Sequence, residues 1–155
     1  MKTTLFAALF TIFATTAAFS QKQLGVFDAV KLNDSTTLVM CLNGGLKANT
    51  TNTDGNTLLM EASKNGSYAA AKLLLAHGAK VNAQNEMGNT ALMEATLRGD
   101  SKMAAILVQA GANISVINTV GETALSIAEG FDKNDIAQMF IAKDPHVKDG
   151  YAKTR

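Results

Sequence analysis

The chain has 155 residues, of which 47% are apolar, and it carries a formal net charge of +1. That length predicts about one domain, and the near-neutral charge argues against a surface for DNA, RNA or anionic lipid. Its single cysteine, Cys41, excludes an intrachain disulfide and a cysteine-rich metal site. Only 6% of the residues are aromatic and none is tryptophan, so Ala, Leu and Met must fill the core.

Residues 1–20 have the features of a secretory signal peptide. Lys2 supplies the positive start, and Leu5–Ala14 is a largely apolar run. Small residues near Ser20 predict cleavage between Ser20 and Gln21. A membrane anchor is the alternative, but a span needs about 20 apolar residues and this run is shorter. We therefore expect a periplasmic or secreted protein that has no stable membrane insertion after cleavage.

One eight-residue motif occurs three times at a spacing of 33 residues. It is GNTLLMEA from Gly55, GNTALMEA from Gly88 and GETALSIA from Gly121. A second set of glycines has the same spacing, and each member follows an apolar run: Gly45, Gly78 and Gly111. Glycine in that place is expected just after a helix, where it adopts positive φ. A fixed period of this length indicates a solenoid of stacked supersecondary units.

Each unit is predicted to contain a turn, a short helix, a tight turn, a longer helix and an extended loop. The predicted helices are Phe27–Leu32 and Ser35–Asn43 in unit one, Thr57–Lys64 and Ser67–His77 in unit two, Ser101–Ala110 in unit three and Asn134–Lys143 in unit four. Residues 21–50 are a degenerate N-terminal cap unit, 51–83 and 84–116 are repeats, and 117–143 are a C-terminal cap unit. Residues 144–155 are predicted to be a flexible tail.

Apolar residues recur at the same positions of successive units and predict the core. Three leucines each precede an alanine by three residues, which places each pair on one helical face: Leu59 and Ala62, Leu92 and Ala95, Leu125 and Ala128. In the longer helices Cys41 shares a position with core residues, so its thiol is expected to be buried and inert. Met60 and Met93 either pack between units or belong to a contact surface.

The motif Gly-x-Thr-x-Leu-x-x-Ala, the turn glycine, the Leu-rich second helix and the following Gly-Ala resemble the ankyrin repeat. The resemblance covers about residues 24–143 and implies an all-α solenoid of about four helix-turn-helix units with short hairpin loops. The Thr-Pro-Leu-His sequence of that family is Thr57-Leu58-Leu59-Met60 in unit two. The missing proline removes a preset helix start, and the missing histidine removes a link between neighbouring units.

The resemblance also implies a function, because ankyrin-like stacks hold partner proteins with their hairpin tips and the concave face of their first helices. Carried over by position, the partner-binding residues at the tips are Asp54, Asn56, Glu86, Met87, Asn89, Val120 and Glu122. Those on the first helices are Glu61, Lys64, Glu94, Leu97, Arg98, Ile127 and Phe131. Five of these residues are apolar where exposure to water is expected, as in binding hot spots: Met87, Leu97, Val120, Ile127 and Phe131.

The partner is expected to be another protein, bound by a monomer that needs no cofactor. Small periplasmic ankyrin-like proteins resemble accessory factors for exported enzymes such as catalases. They also resemble immunity proteins that block the active site of a toxin or enzyme. A structural spacer with no specific partner is a further alternative, against which the apolar tips argue.

A hydrolase is the enzymatic alternative. Glu61 and Glu94 occupy one position on successive first helices, about 8–10 Å apart. Inverting glycosidases hold their two carboxyl groups roughly 6.5–9.5 Å apart. The face is expected to be open to solvent, however, and solvation does not raise the pKa of a carboxylate. His77 and His146 are too few for a metal site, and no phosphate loop or nucleophile elbow occurs, so we expect no enzyme.

Overall fold

The computed structural model describes residues 25–147, and within that range the chain forms four helical pairs. The helices are α1 (residues 25–31), α2 (Ser35–Asn43), α3 (Leu58–Asn65), α4 (Tyr68–Ala76), α5 (Ala91–Arg98), α6 (Ser101–Gln109), α7 (Ala124–Gly130) and α8 (Asn134–Lys143). Across these residues β pairing is limited to one isolated antiparallel bridge, between Thr51 and Thr57. The predicted all-α solenoid is confirmed. The predicted signal peptide with its cleavage site, and the tail residues 148–155, lie outside the described residues.

None of the helices in the described range combines the length and the apolar character needed to cross a bilayer. The first helices of successive units contact one another in order, α3 with α5 and α5 with α7. Among the second helices, α2 contacts α4 and α6 contacts α8. Neighbouring units therefore cover each other, as the 33-residue period predicts.

The first helices of units two to four begin at threonines of the repeated motif. The hydroxyl groups of Thr57, Thr90 and Thr123 accept hydrogen bonds from backbone N–H groups three residues on, at 3.2, 3.3 and 3.1 Å. In α7 the Ser126 hydroxyl also accepts from the Thr123 N–H at 2.8 Å, which completes a capping box. These caps define the helix starts although the proline of the family motif is missing.

The turn between the two helices of a unit uses a left-handed residue at one position in all four units. In units two and three this residue is glycine, Gly66 and Gly99, with φ of 71° and 74°. A Cβ atom at Gly66 would lie 3.2 Å from Nη2 of Arg98, which extends from the next unit. A Cβ atom at Gly99 would lie 3.1 Å from Cε of Lys133. Glycine in these two turns avoids both the strain of positive φ and displacement of the long side chain that crosses from the following unit.

The core runs the length of the stack and uses the predicted positions. Its fully buried members include the leucines of the first helices and the large residues of the second helices: Leu59, Leu92, Leu125, Leu74, Leu107 and Phe140. Cys41 is also buried, as predicted. Met60 and Met93 are 1% and 0% exposed, so they pack between units and do not belong to a contact surface.

Packing continues beyond the last helix. Val147 is buried in the core, at the position that Ala48 and Ile114 occupy in earlier units, and those two residues are buried as well. The fourth unit therefore keeps the first part of its closing loop. Val147 belongs to residues 144–155, the segment that was predicted to be a flexible tail.

Candidate partner-binding surface

The three hairpins that open units two, three and four are shaped by asparagines at one position. Asn85 is representative, because its Oδ1 accepts from the backbone N–H groups of Met87 at 3.0 Å and Asn89 at 2.9 Å. Asn52 and Asn118 bond to their own hairpins in the same way. An asparagine side chain that bonds to backbone two residues on fixes a tight turn. These three asparagines are 33 residues apart in the sequence, but their role in the hairpins was not predicted from it.

The same asparagines link one hairpin to the next. Nδ2 of Asn85 donates to Oδ1 of Asn56 at 2.7 Å, and Nδ2 of Asn118 donates to Oδ1 of Asn89 at 3.0 Å. We call these four residues the asparagine ladder. Asn56 and Asn89 are only 7% and 8% exposed. These two predicted contact residues are therefore largely buried, and their amides hold neighbouring units together.

The hairpins of units three and four are in close backbone contact. The Met87 carbonyl accepts hydrogen bonds from the N–H of Thr119 at 3.0 Å and from its hydroxyl at 2.9 Å. A Cβ atom at Gly88 would lie 2.9 Å from Cα of Asn118 and from the Thr119 nitrogen. At Gly121, in the last hairpin, no described residue other than the two chain neighbours comes within 4 Å of such a Cβ. The last tip therefore has an open outer side.

Side chains at the hairpin tips extend into solvent. Met87 is 61% exposed and Val120, one unit later, is 72% exposed. Asp54, Glu86 and Glu122 are exposed as well. These five predicted residues all occupy an accessible surface.

One further apolar residue at the tips was not predicted from the sequence. Ile117, which precedes the last hairpin turn, is 44% exposed. It replaces Thr51 and Gln84 of the earlier units, and that polar-to-apolar change was the available signal.

The middle of the first helices is closed to solvent, which corrects three predictions. Glu61 and Glu94 are 6% and 8% exposed, because α3, α5 and α7 pack side by side along their length. Oε2 of Glu61 accepts from Nδ2 of Asn65, and Oε1 of Glu94 accepts from Nδ2 of Asn89, both at 3.3 Å. Ile127 occupies the same position one unit later and is 2% exposed, so it is a core residue.

These burial values bear on the hydrolase alternative. Glu61 and Glu94 do not lie on the open face that was expected, and each carboxylate is occupied by an amide hydrogen bond. Within residues 25–147, no three His, Cys, Asp or Glu side chains gather where they would hold a metal ion.

Exposure returns at the C-terminal ends of the first helices. Leu97 is 39% exposed and Phe131 is 55% exposed, and Lys64 and Arg98 are exposed beside them. An eight-residue helix such as α5 is about 12 Å long. The accessible residues therefore form two strips, one at the hairpin tips and one at the helix ends, with buried helix between them. The concave helix face that the family resemblance implied is therefore accessible mainly at its two ends.

Arg98 also has a structural role in the helix-end strip. Its Nη1 donates to the Lys64 carbonyl at 3.1 Å, and its Nε lies 3.7 Å from Oδ2 of Asp100. Asp100 in turn accepts from the hydroxyl of Tyr68 at 3.0 Å, and this hydrogen bond raises the pKa of Tyr68 above its usual 10. The ammonium of Lys102 lies 4.4 Å from the centre of the Tyr68 ring. This cluster joins units two and three.

A shallow pocket of about 270 Å³ lies beside the same strip. It is lined by Gly99, Ser101 and residues 132–136, at the starts of α6 and α8.

The fold and this arrangement agree with a comparison against protein families. The family model for ankyrin repeats matches in three copies over residues 26–118, well over half of the chain. The match includes the degenerate first unit, and it ends within the hairpin of unit four. No curated protein matches the chain in a sequence search. Ankyrin repeats are generally protein–protein interaction modules and are typically not enzymes. The chain belongs to the ankyrin-repeat family.

Proposed function

We propose that this protein is an exported binding module that holds a partner protein with its hairpin tips and the exposed ends of its first helices. The observation that carries the proposal is the exposure of Met87 and Val120 on successive tips. Apolar side chains within a polar rim are the usual anchors of a protein interface.

The proposed contact residues are the accessible members of the predicted set. At the tips they are Asp54, Glu86, Met87, Val120 and Glu122; at the helix ends they are Lys64, Leu97, Arg98 and Phe131. Asn56, Glu61, Asn89, Glu94 and Ile127 are left out because they are buried.

The proposed location is the periplasm or the exterior of the cell, and the leader composition supports it. Two classes of partner follow from the family resemblance: an exported enzyme such as a catalase, and a toxin or enzyme whose active site the protein blocks. A neighbouring toxin or catalase reading frame distinguishes them. N-terminal sequencing of the exported protein tests the location, because a mature chain beginning at Gln21 is expected.

Affinity capture from the native periplasm followed by mass spectrometry tests the binding surface. One variant combines Met87→Ser and Val120→Ser at the tips, and three others carry Leu97→Ala, Arg98→Ala or Phe131→Ala. Truncating a hot-spot residue costs over about 1 kcal/mol, which is roughly a fivefold loss of affinity.

The matched control is Met40→Ser, which removes an apolar side chain that is 69% exposed on α2, away from both strips. We expect the control to retain the captured partner. If the tip variant and all three helix-end variants also retain it, both strips are the wrong surface.

A further inference from the structure

Building on the proposed function, we propose that the tips bind a partner surface with an apolar centre surrounded by basic groups. The receiving surface is the tip patch, which we define as Met87, Ile117 and Val120. The acidic residues on the hairpins are Asp54, Glu86 and Glu122.

The two hairpins that carry the tip patch are in direct contact. Two hydrogen bonds join Thr119, the residue before Val120, to the Met87 carbonyl. Nε2 of Gln84 donates to the Ile117 carbonyl at 3.1 Å, which joins the bases of the same two hairpins. Three accessible apolar side chains therefore lie on a backbone frame that is already hydrogen-bonded. A preformed surface of this kind loses little conformational entropy on binding.

The charged side chains within the three hairpins all have one sign. The hairpin sequences TNTDGN (residues 51–56), QNEMGN (84–89) and INTVGE (117–122) contain three acids and no Lys, Arg or His. Asp54, Glu86 and Glu122 are exposed, and none forms an ion pair with another residue of the described chain. Since the whole chain has a formal net charge of +1, this is a local feature of the hairpins.

The separation of these charges allows them to act together. Helices of adjacent units lie about 8–10 Å apart. The Debye length is about 8 Å at physiological ionic strength, so the fields of neighbouring tips overlap. Such a field attracts a basic partner and repels an acidic one, and it acts most strongly on the rate of association. It also opposes nucleic acid and anionic lipid as occupants.

Selection from a random peptide library displayed on phage tests the inference with a defined probe. Clones are selected on the full-length protein and kept only if they lose binding to the Met87→Ser, Val120→Ser variant. We expect these tip-dependent clones to carry Lys or Arg beside apolar residues. Their affinity should fall at least about tenfold when Asp54→Asn, Glu86→Gln and Glu122→Gln are combined, within the range known for electrostatic steering. The loss should shrink at 0.5 M salt.

The matched control removes three exposed acids elsewhere on the fold, through Asp28→Asn, Asp132→Asn and Asp135→Asn. It changes the net charge by the same amount and should leave binding of these clones unchanged. Tip-dependent clones whose peptides are neutral or acidic, or whose affinity does not change when the three tip acids are replaced, overturn the inference and leave the proposed tip surface intact. A selection that returns no tip-dependent clone overturns both.

One rival occupant belongs to the chain itself. Residues 148–155 contain three basic residues and one acid, so they have the charge that the tips favour. A full-length variant with Lys148→Gln, Lys153→Gln and Arg155→Gln tests this alternative. Clones that bind this variant with unchanged affinity support an external partner. Affinity more than tenfold higher would identify this segment as the occupant and overturn the inference.

Discussion

Removal of one side chain from the asparagine ladder tests how the units are held together. Asn85→Ala deletes three hydrogen bonds, two within the hairpin of unit three and one, at 2.7 Å, to Asn56 of unit two. It also leaves the Asn56 oxygen without this donor in a residue that is 7% exposed.

The expected cost follows from those contacts. Each hydrogen bond contributes about 0.5–1.5 kcal/mol net, and a stranded buried acceptor costs about 1–3 kcal/mol. Met87 is an exposed residue, so water replaces part of the lost bonding there. We expect the free energy of unfolding to fall by about 2–4 kcal/mol.

Asn52→Ala is the matched control. Asn52 makes the same two bonds within its own hairpin, at 3.0 and 2.9 Å, and no bond of its amide nitrogen to another unit is found among the described residues. Asn85→Ala should therefore cost at least about 1 kcal/mol more than Asn52→Ala. Urea unfolding followed by far-UV circular dichroism measures both, since the chain has no tryptophan. Equal costs would refute the inter-unit role of the ladder.

Three further predictions concern the turns and two titrating groups. Gly88→Ala should destabilise the protein by at least about 1 kcal/mol more than Gly121→Ala, because both glycines have positive φ but only Gly88 is crowded, at 2.9 Å, by the next hairpin; urea midpoints measure the difference. A hydrogen bond from a first-turn threonine side chain lowers the pKa of Asp34. The stabilising contribution of the Asp34 carboxylate is therefore present above about pH 4 and is lost as the pH falls through the folded-state pKa. The urea midpoint of Asp34→Asn should fall less between pH 6 and pH 3 than that of the parent protein, and an equal fall would contradict this. Because the pKa of Tyr68 is raised, the stabilising contribution of its neutral hydroxyl is present below about pH 10 and is lost as the pH rises further. In a Tyr151→Phe variant Tyr68 is the remaining tyrosine, and absorbance at 295 nm should show its ionisation with a midpoint above pH 10. A midpoint at pH 10 or below would contradict this.

The period of the sequence predicted the helices because each unit repeats the same local signals. Threonine caps, turn glycines and leucines at helical spacing recur every 33 residues. A helix predicted in one unit could therefore be checked against the same positions in the other units. Helix bounds agree with the structure to within a residue or two for this reason. The helix predicted over Thr57–Lys64, for example, spans Leu58–Asn65 with Thr57 as its N-cap.

Exposure was harder to predict, because it depends on how closely neighbouring units approach. Glu61 and Glu94 were placed on an open face because the resemblance implies that the first helices line an accessible concave surface. In the structure their helices pack so closely that the whole position is buried, and amide hydrogen bonds satisfy the two carboxylates. Ile127 at the same position gave a sequence signal for this, since an apolar residue in the third copy favours a buried site.

The asparagine ladder was missed for a related reason. Short polar residues between helices favour turns, and nothing in a single hairpin shows which amide extends to the neighbouring unit. The contacts of Asn85 with Asn56 and of Asn118 with Asn89 show that polar loop residues link the stack.

Amide hydrogen exchange on the complex with the captured partner tests most directly whether the tips form the binding surface. Binding is expected to slow exchange in residues 84–89 and 117–122, where Met87 and Val120 lie, and to leave the middle of α5 unchanged. Slower exchange confined to the outer helices α2 and α8, with the hairpins unaffected, would contradict it.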